Sequence, residues 1–160
     1  METIRHLSKT LNINPMNQKI QKLGLLPADR IVVPKSGLRI VQHHALYLGK
    51  NHQGVDLIAE NKIGFGVRLV TADDFFKNVI EVTRIEKFNG NNYQRRIAVQ
   101  KALDKLGQPY HLIDYNCQHF ANEVQYNFIK SDQVEGLFEG LKIAAGVALV
   151  IGLFNLLTND

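Results

Sequence analysis

The alternation of apolar and polar residues predicts short β-strands in the first half of the chain. Residues 30–33 form a β-branched run, and residues 38–48 form a longer run bounded by glycines. Along the longer run, even-numbered positions face one side of a sheet and odd-numbered positions, His43 among them, face the other. After a polar turn, further strands are predicted at residues 55–59, 66–70 and 79–88.

The second half of the chain has helical spacing. Apolar residues recur at this spacing at Val99, Ala102, Leu103 and Leu106, and Gly107 with Pro109 predicts the end of that helix. A second helix is expected to begin near Cys117, with an apolar face of Cys117, Phe120, Ala121, Val124 and Phe128. Thr71, with Asp74 three positions later, predicts the N-cap of a short helix between strands. The expected fold class is α+β, an antiparallel sheet flanked by helices.

Composition narrows the function classes. A chain of 160 residues, 45% hydrophobic and 21% charged, fits one globular domain. The net charge of +4 is mild and no basic run occurs, so a nucleic-acid partner is not expected. One cysteine excludes an intramolecular disulfide and hence a secreted disulfide scaffold.

The two ends of the chain differ. Residues 1–26 form a mixed N-terminal arm without an apolar core of signal-peptide length. Residues 143–157 carry no charge, and a hydrophobic helix over residues 137–158 is predicted as a membrane anchor. Because Lys130 and Lys142 precede it, the catalytic domain is expected on the cytoplasmic side of a membrane. A buried C-terminal helix is the alternative interpretation, since the apolar run is short for a span.

Cys117 is the candidate nucleophile. Asn116 is well suited to cap the helix that starts there, and the positive end of a helix favours thiolate over thiol. Backbone N–H groups at a helix N-terminus also suit a developing oxyanion. A strand residue, His43, is the candidate base. The alternatives are a buried structural thiol and a satisfied histidine in the sheet.

Metal binding is not expected, although several imidazoles are present. None has structural-zinc spacing, and a single cysteine would leave a zinc site mostly imidazole. The histidines considered are His43, His44, His52, His111 and His119. No cofactor is implied.

Two motifs resemble those of the lecithin:retinol acyltransferase (LRAT) family, which includes the H-Ras-like suppressor phospholipase/acyltransferases. Residues 43–49 (HHALYLG) resemble its histidine motif, and residues 116–120 (NCQHF) resemble its cysteine motif, usually Asn-Cys-Glu-His-Phe. Residues 27–31 (PADRI) resemble its opening strand, and the helix over 98–107 followed by Tyr110 resembles the stretch before its cysteine. The likeness runs from about Pro27 to Asn127, and the predicted catalytic domain is residues 27–130.

The resemblance implies a circularly permuted papain-like fold and removal of an acyl chain from a glycerophospholipid. His43 would take the proton of Cys117, and an acyl-thioester would pass the chain to water, an amine or an alcohol. The sequence departs from the family at His44, where an aromatic residue is usual, and at Gln118, where glutamate is usual. The third member, commonly histidine, is replaced by Asp56 or, as second choice, His52.

Two other functions fit the same residues. One is a cysteine amidase or peptidase of the permuted papain-like group, and the other is a regulatory module without catalysis. The acyl acceptor, the glycerol position attacked and the oligomeric state do not follow from the sequence.

Overall fold

The computed structural model describes residues 15–35 and 42–158, and over 146–158 it describes the helical backbone without side-chain surroundings. The elements in chain order are α1 Pro15–Lys22, β1 Arg30–Pro34, β2 Gln42–Lys50, β3 Asp56–Lys62, β4 Gly66–Thr71, α2 Ala72–Phe76, β5 Arg84–Glu86, α3 Asn92–Asp104, α4 Cys117–Tyr126 and α5 Asp132–Thr158.

The strands form one sheet in the order β4-β3-β2-β1-β5, and every neighbouring pair is antiparallel. The α+β class and the antiparallel sheet flanked by helices are therefore confirmed. The strand expected over residues 79–88 is confined to Arg84–Glu86, because only these residues pair with β1. Part of the arm over residues 1–26 forms α1. Positions 38–41 of the long predicted strand lie outside the described residues.

β2 is buried on both faces, with the two faces divided as the alternation predicts. Leu46 and Leu48 pack with α3 and α4, in a core cluster that includes Phe120. Ala45 and Tyr47 pack on the opposite face. Their cluster includes residues of α1, β1 and α2, namely Ile20, Ile31, Val33, Ala72, Phe75 and Phe76.

The loop before β1 is fixed by Asp29, whose carboxylate is fully buried. It accepts hydrogen bonds from the amides of Leu26 and Phe88 and from the side chains of Lys87 and Arg95. Burial by itself raises the pKa of Asp29, but these donors, Arg95 foremost, outweigh it and lower the pKa. The charged Asp29 carboxylate therefore links the start of β1 to the segment after β5 and to Arg95 of α3.

A buried guanidinium ties the sheet to α4. Arg30 on β1 donates to Gln125 Oε1 at 2.8 Å and Asn122 Oδ1 at 2.7 Å, and it pairs with Glu86 at 3.3 Å. Since both amides belong to α4, these bonds fix how that helix lies against the sheet. An unpaired buried guanidinium would be costly, so the network also specifies this packing.

The helix α4 ends at Tyr126, two residues before the last residue of its predicted apolar face. Asn127 takes a left-handed conformation (φ 61°) as its C-cap. Phe128 therefore lies beyond the helix, 46% exposed and stacked on Tyr126, so its place on the buried face was wrong.

The helix α5 begins at Asp132 and includes the predicted C-terminal helix over 137–158. The carbonyl of Ser131 accepts from the amides of Val134 and Glu135, which explains this earlier start. Among the described residues, no helix has the length and apolar character needed to cross a membrane. The described residues thus give the expected anchor no support, and most of its apolar side chains lie outside them.

Candidate active site

Cys117 is the first residue of α4, and the helix start is capped as predicted. Asn116 Oδ1 accepts from the amides of Gln118 at 2.9 Å and His119 at 3.2 Å, while His119 Nδ1 accepts from the amide of Asn116 at 3.1 Å. The cap occupies the second and third amides of the helix. Of the first three amides of the helix, that of Cys117 is left to donate to an oxyanion. The sequence suggested more than one such donor.

The thiol reaches the sheet where β2 and β3 separate. Their pairing ends at Ala45 and Glu60, although β2 extends back to Gln42. The loop before α4 enters this opening, where Asn61 Nδ2 donates to the carbonyl of Tyr115 at 2.8 Å. Cys117 Sγ donates to the Gln42 carbonyl at 3.8 Å, and the nearby amide of His44 helps to lower the pKa of the thiol. A helix packed on one face of the sheet can therefore present its thiol to a side chain of the other face.

That side chain is His43. Its Nε2 lies 2.6 Å from Glu60 Oε2, and the thiol of Cys117 lies close enough to the ring for each group to shift the pKa of the other. Because Nε2 is engaged by the carboxylate, Nδ1 is the ring nitrogen available to the sulfur. Thiol, imidazole and carboxylate thus follow one another in a series of the kind that activates a nucleophile.

The electrostatics of the series favour a thiolate beside an imidazolium. Burial by itself lowers the pKa of His43, but the hydrogen bonds and charges of Cys117 and Glu60 outweigh it and raise the pKa to about 9. Burial by itself raises the pKa of Cys117, which is 2% exposed, but His43 outweighs it and the pKa falls. Both shifts stabilise the same ion pair.

Glu60 is held by a second cation. Arg68 on β4 donates to Glu60 Oε1 from Nε at 2.8 Å and from a terminal nitrogen at 2.6 Å. Burial alone would raise the pKa of Glu60, but His43 and Arg68 lower it. The carboxylate stays charged, and its second oxygen points at the imidazole.

Asp56 is not the partner of His43. Its carboxylate accepts from Tyr47 Oη and Lys50 Nζ, both at 2.6 Å. Asp56 and Glu60 share a face of β3, but they are four positions apart, about 13 Å along the strand. Asp56, the first-choice orienting residue from the sequence, therefore bonds other side chains in this structure. His52 is exposed in the turn between β2 and β3.

The neighbouring histidine points away from the thiol. His44 is 2% exposed on the opposite face of β2, and its Nδ1 lacks a hydrogen-bond partner among the described residues. Burial and the charges of Arg30 and Arg84 lower its pKa to about 3, so it is neutral. The structure therefore brings His43, and not His44, to Cys117.

Gln118, the departure in the cysteine motif, faces the start of α5. Its Oε1 accepts from Ser131 Oγ at 2.9 Å and from the amide of Gln133 at 3.2 Å. Gln133 in turn bonds the backbone of Gln42 through both its side-chain atoms. These contacts seat the first turn of α5 beside Cys117.

Two clefts adjoin the pair. A cleft of about 400 Å³ opens at Cys117 and is lined mainly by apolar side chains of the loop before α4 and of α5, including Leu112, Ile113, Val134 and Leu137. A second cleft, of about 360 Å³, opens at His43 and is lined by Glu60, Lys62, Arg68, Asp74 and apolar residues. Lys35 lines both, so the two clefts meet at the reactive pair.

No group of three or more metal-binding side chains occurs in the part of the chain that the structure describes. His119, near the thiol in sequence, serves the helix cap.

A stretch of the chain is similar to a known protein. It is 38% identical over 61 residues to human "Phospholipase A and acyltransferase 2", a match covering 37% of this chain. The match spans 38% of the relative's length. No protein-family model matches the chain. The similarity therefore covers a segment of each protein and not its whole length.

Proposed function

We propose that the protein is a cysteine-dependent phospholipid acyl hydrolase or acyltransferase that works through an acyl-thioester on Cys117. The observation that carries the proposal is the series Cys117–His43–Glu60 at the meeting point of an apolar and a charged cleft. The segment similarity to a protein named as a phospholipase and acyltransferase supports it. We extend the proposal to membership of the LRAT family and to a permuted papain-like fold, since the histidine strand precedes the cysteine helix.

In the first step, the Cys117 thiolate attacks the ester carbonyl of a glycerophospholipid. A C–S bond forms, and the charge that develops on the carbonyl oxygen is met by the amide of Cys117. Collapse of this intermediate breaks the bond to the glycerol oxygen, which takes the proton of the His43 imidazolium and leaves as lysophospholipid. Glu60 stabilises the imidazolium and orients the ring.

In the second step, the acyl-thioester is resolved. Water, an amine or an alcohol gives its proton to His43 as it attacks the thioester carbonyl, and the C–S bond breaks to return the thiolate. Water yields a fatty acid, whereas an amine or an alcohol yields an amide or an ester. Over the two steps, His43 gives up one proton and takes one back.

The apolar cleft favours an acyl chain over a peptide. Leu112, Ile113 and Leu137 line it beside Cys117, and they offer hydrocarbon surface rather than backbone-like donors and acceptors. A phospholipid substrate places the enzyme at a membrane surface. The cytoplasmic orientation expected from Lys130 and Lys142 depends on a spanning anchor and stays a prediction.

Single-turnover acylation tests the proposal. The full chain is mixed with vesicles of mixed-chain phosphatidylcholine, quenched in acid and examined by intact mass. We expect an added acyl group, with release of lysophospholipid, that is lost in Cys117→Ala and strongly reduced in His43→Ala. Asp56→Asn serves as the control and should keep the adduct. Absence of both adduct and lysophospholipid from the wild-type chain would refute the lipid substrate, and hydrolysis of small amides would then favour an amidase.

A further inference from the structure

The turn between β3 and β4 carries two exposed apolar side chains beside the candidate site. Ile63 is 52% exposed and Phe65 is 66% exposed, with Gly64 between them. Ile63 also lines the His43 cleft. Arg68 lies 4.5 Å from the Phe65 ring centroid, which covers part of one ring face and leaves the rest exposed. Contiguous exposed apolar surface with a polar rim is typical of protein–protein and membrane interaction sites.

The turn between β3 and β4 is fixed by contacts with the loop that follows α3. The amide of Val67 donates to the Gln108 carbonyl and its carbonyl accepts from Gly107, both at 2.8 Å. Gly66 packs so closely on Gln108 that a side chain would not fit. Ile63 and Phe65 are thus carried by a hairpin of fixed conformation. Their insertion into an apolar environment therefore requires little ordering of the backbone.

The charges around the turn are mostly positive. Lys62 begins it and Lys35 lies across the cleft, and neither has a carboxylate partner among residues 15–35 and 42–158. Arg68 also lies on this rim, where Glu60 balances its charge. Of the two carboxylates on the cleft, Glu60 is buried and paired, and Asp74 lies on α2 rather than on the hairpin. Apolar tips flanked by cations suit an anionic lipid surface.

We propose that the β3–β4 hairpin tip, residues 62–65, is a membrane-docking element that inserts Ile63 and Phe65 into a bilayer containing anionic phospholipid. Lys62 and Lys35 bind the headgroup phosphates, and the docked hairpin holds the His43 cleft against the lipid from which the substrate is drawn. The choice of lipid as partner rests on the proposed function. This docking does not depend on the C-terminal segment.

The absence of tryptophan from the chain allows a direct test. Phe65→Trp is made in the full chain with Cys117→Ala, so that the lipid stays intact. Tyr93→Trp on α3 is the matched control, because Tyr93 is 64% exposed and lines neither cleft of the site. Each protein is mixed with vesicles of phosphatidylcholine and phosphatidylserine, with and without brominated acyl chains, and fluorescence and co-sedimentation are recorded.

We expect the indole emission of the Phe65→Trp protein to shift to the blue and to be quenched by the brominated lipid, while the emission of the Tyr93→Trp protein is unaffected. Lys62→Gln should weaken vesicle binding about fivefold and reduce its sensitivity to salt. Vesicle-bound Phe65→Trp protein with an unquenched indole, or no binding to these vesicles at all, overturns the docking proposal. The acyl-adduct assay is separate: an adduct without quenching removes the hairpin proposal alone, and quenching without an adduct removes the catalytic proposal alone.

Discussion

His43 Nε2 and Glu60 Oε2 lie 2.6 Å apart on one face of the sheet, at the end where β2 and β3 no longer pair. The carboxylate is buried and clamped by Arg68, so it reaches the imidazole in a fixed position. This contact gives the imidazole its orientation and leaves Nδ1 for Cys117. Glu60 therefore holds the place for which the sequence suggested Asp56.

Glu60→Gln should reduce acyl-adduct formation about 10- to 100-fold, because the neutral amide no longer stabilises the imidazolium. Asp56→Asn is the matched control, since it alters a buried carboxylate on the same strand face that bonds Tyr47 and Lys50 instead. The measurement is the single-turnover acylation rate per folded molecule. Equal losses in the two variants would show that Glu60 has no special role toward His43.

The ion pair predicts the pH dependence of Cys117 alkylation. The wild-type rate with iodoacetamide should rise at a pH below the ordinary thiol pKa, since the pKa of Cys117 is lowered. His43 keeps its proton up to its pKa of about 9, so the imidazolium persists across neutral pH. In His43→Ala the rise should move above the ordinary thiol value, because burial then acts without a counter-charge. An unchanged profile in this variant would contradict the ion pair.

Filling the apolar cleft should block long acyl chains selectively. Val134→Phe narrows the cleft beside Cys117 and should slow acylation by long-chain phosphatidylcholine more than by a short-chain analogue. Alkylation by iodoacetamide should stay unchanged, since that reagent needs no acyl site. Leu141→Phe, on an exposed part of α5, is the control. If chain-length preference does not change, the cleft does not hold the acyl chain.

Alanine substitutions at two glycines of the β3–β4 hairpin distinguish backbone strain from steric overlap. Gly64 and Gly66 have φ angles of +80° and +74°, so alanine is strained at both, at about 1–2 kcal/mol. Only at Gly66 would the new methyl overlap the carbonyl of Gln108. Urea unfolding should therefore show a loss for Gly66→Ala that exceeds the loss for Gly64→Ala by at least about 1 kcal/mol. Equal losses would mean that the hairpin is not held against Gln108.

The buried Asp29 carboxylate should contribute to the loss of stability in acid. Its pKa is lowered in the folded state, so its stabilisation is present above the unfolded value of 3.8 and is lost as the pH falls through the folded value. Asp29→Asn should cost about 3 kcal/mol near neutral pH, since two cations lose their partner. Its unfolding free energy should then depend less on pH below about 4. Asp104→Asn, on the exposed side of α3, should change stability by less than about 0.5 kcal/mol.

The sequence by itself determined the local structure. Thr71 and Asn116 cap their helices because a side-chain oxygen within reach of free amides is a local property. Alternation along β2 separated His43 from His44 because side chains of a strand point to opposite faces. Helical spacing and the capping residue Asn116 likewise placed Cys117 at the start of a helix.

Only the tertiary structure decided which carboxylate meets His43. In a hairpin, residues beside the turn pair with each other, as Lys50 and Asp56 do, so the neighbours of His43 lie at the far end of β3. Counting back from the Lys50–Asp56 pair would place Glu60 opposite Leu46, whose side chain faces away from His43. A bulge between Tyr47 and Gly49 shifts the register, so that Glu60 lies opposite Ala45 on the face of His43. The separation of β2 and β3 that admits Cys117 depends on where pairing stops and on the loop that fills the opening. These are non-local contacts, and hydrophobic periodicity carries no record of them.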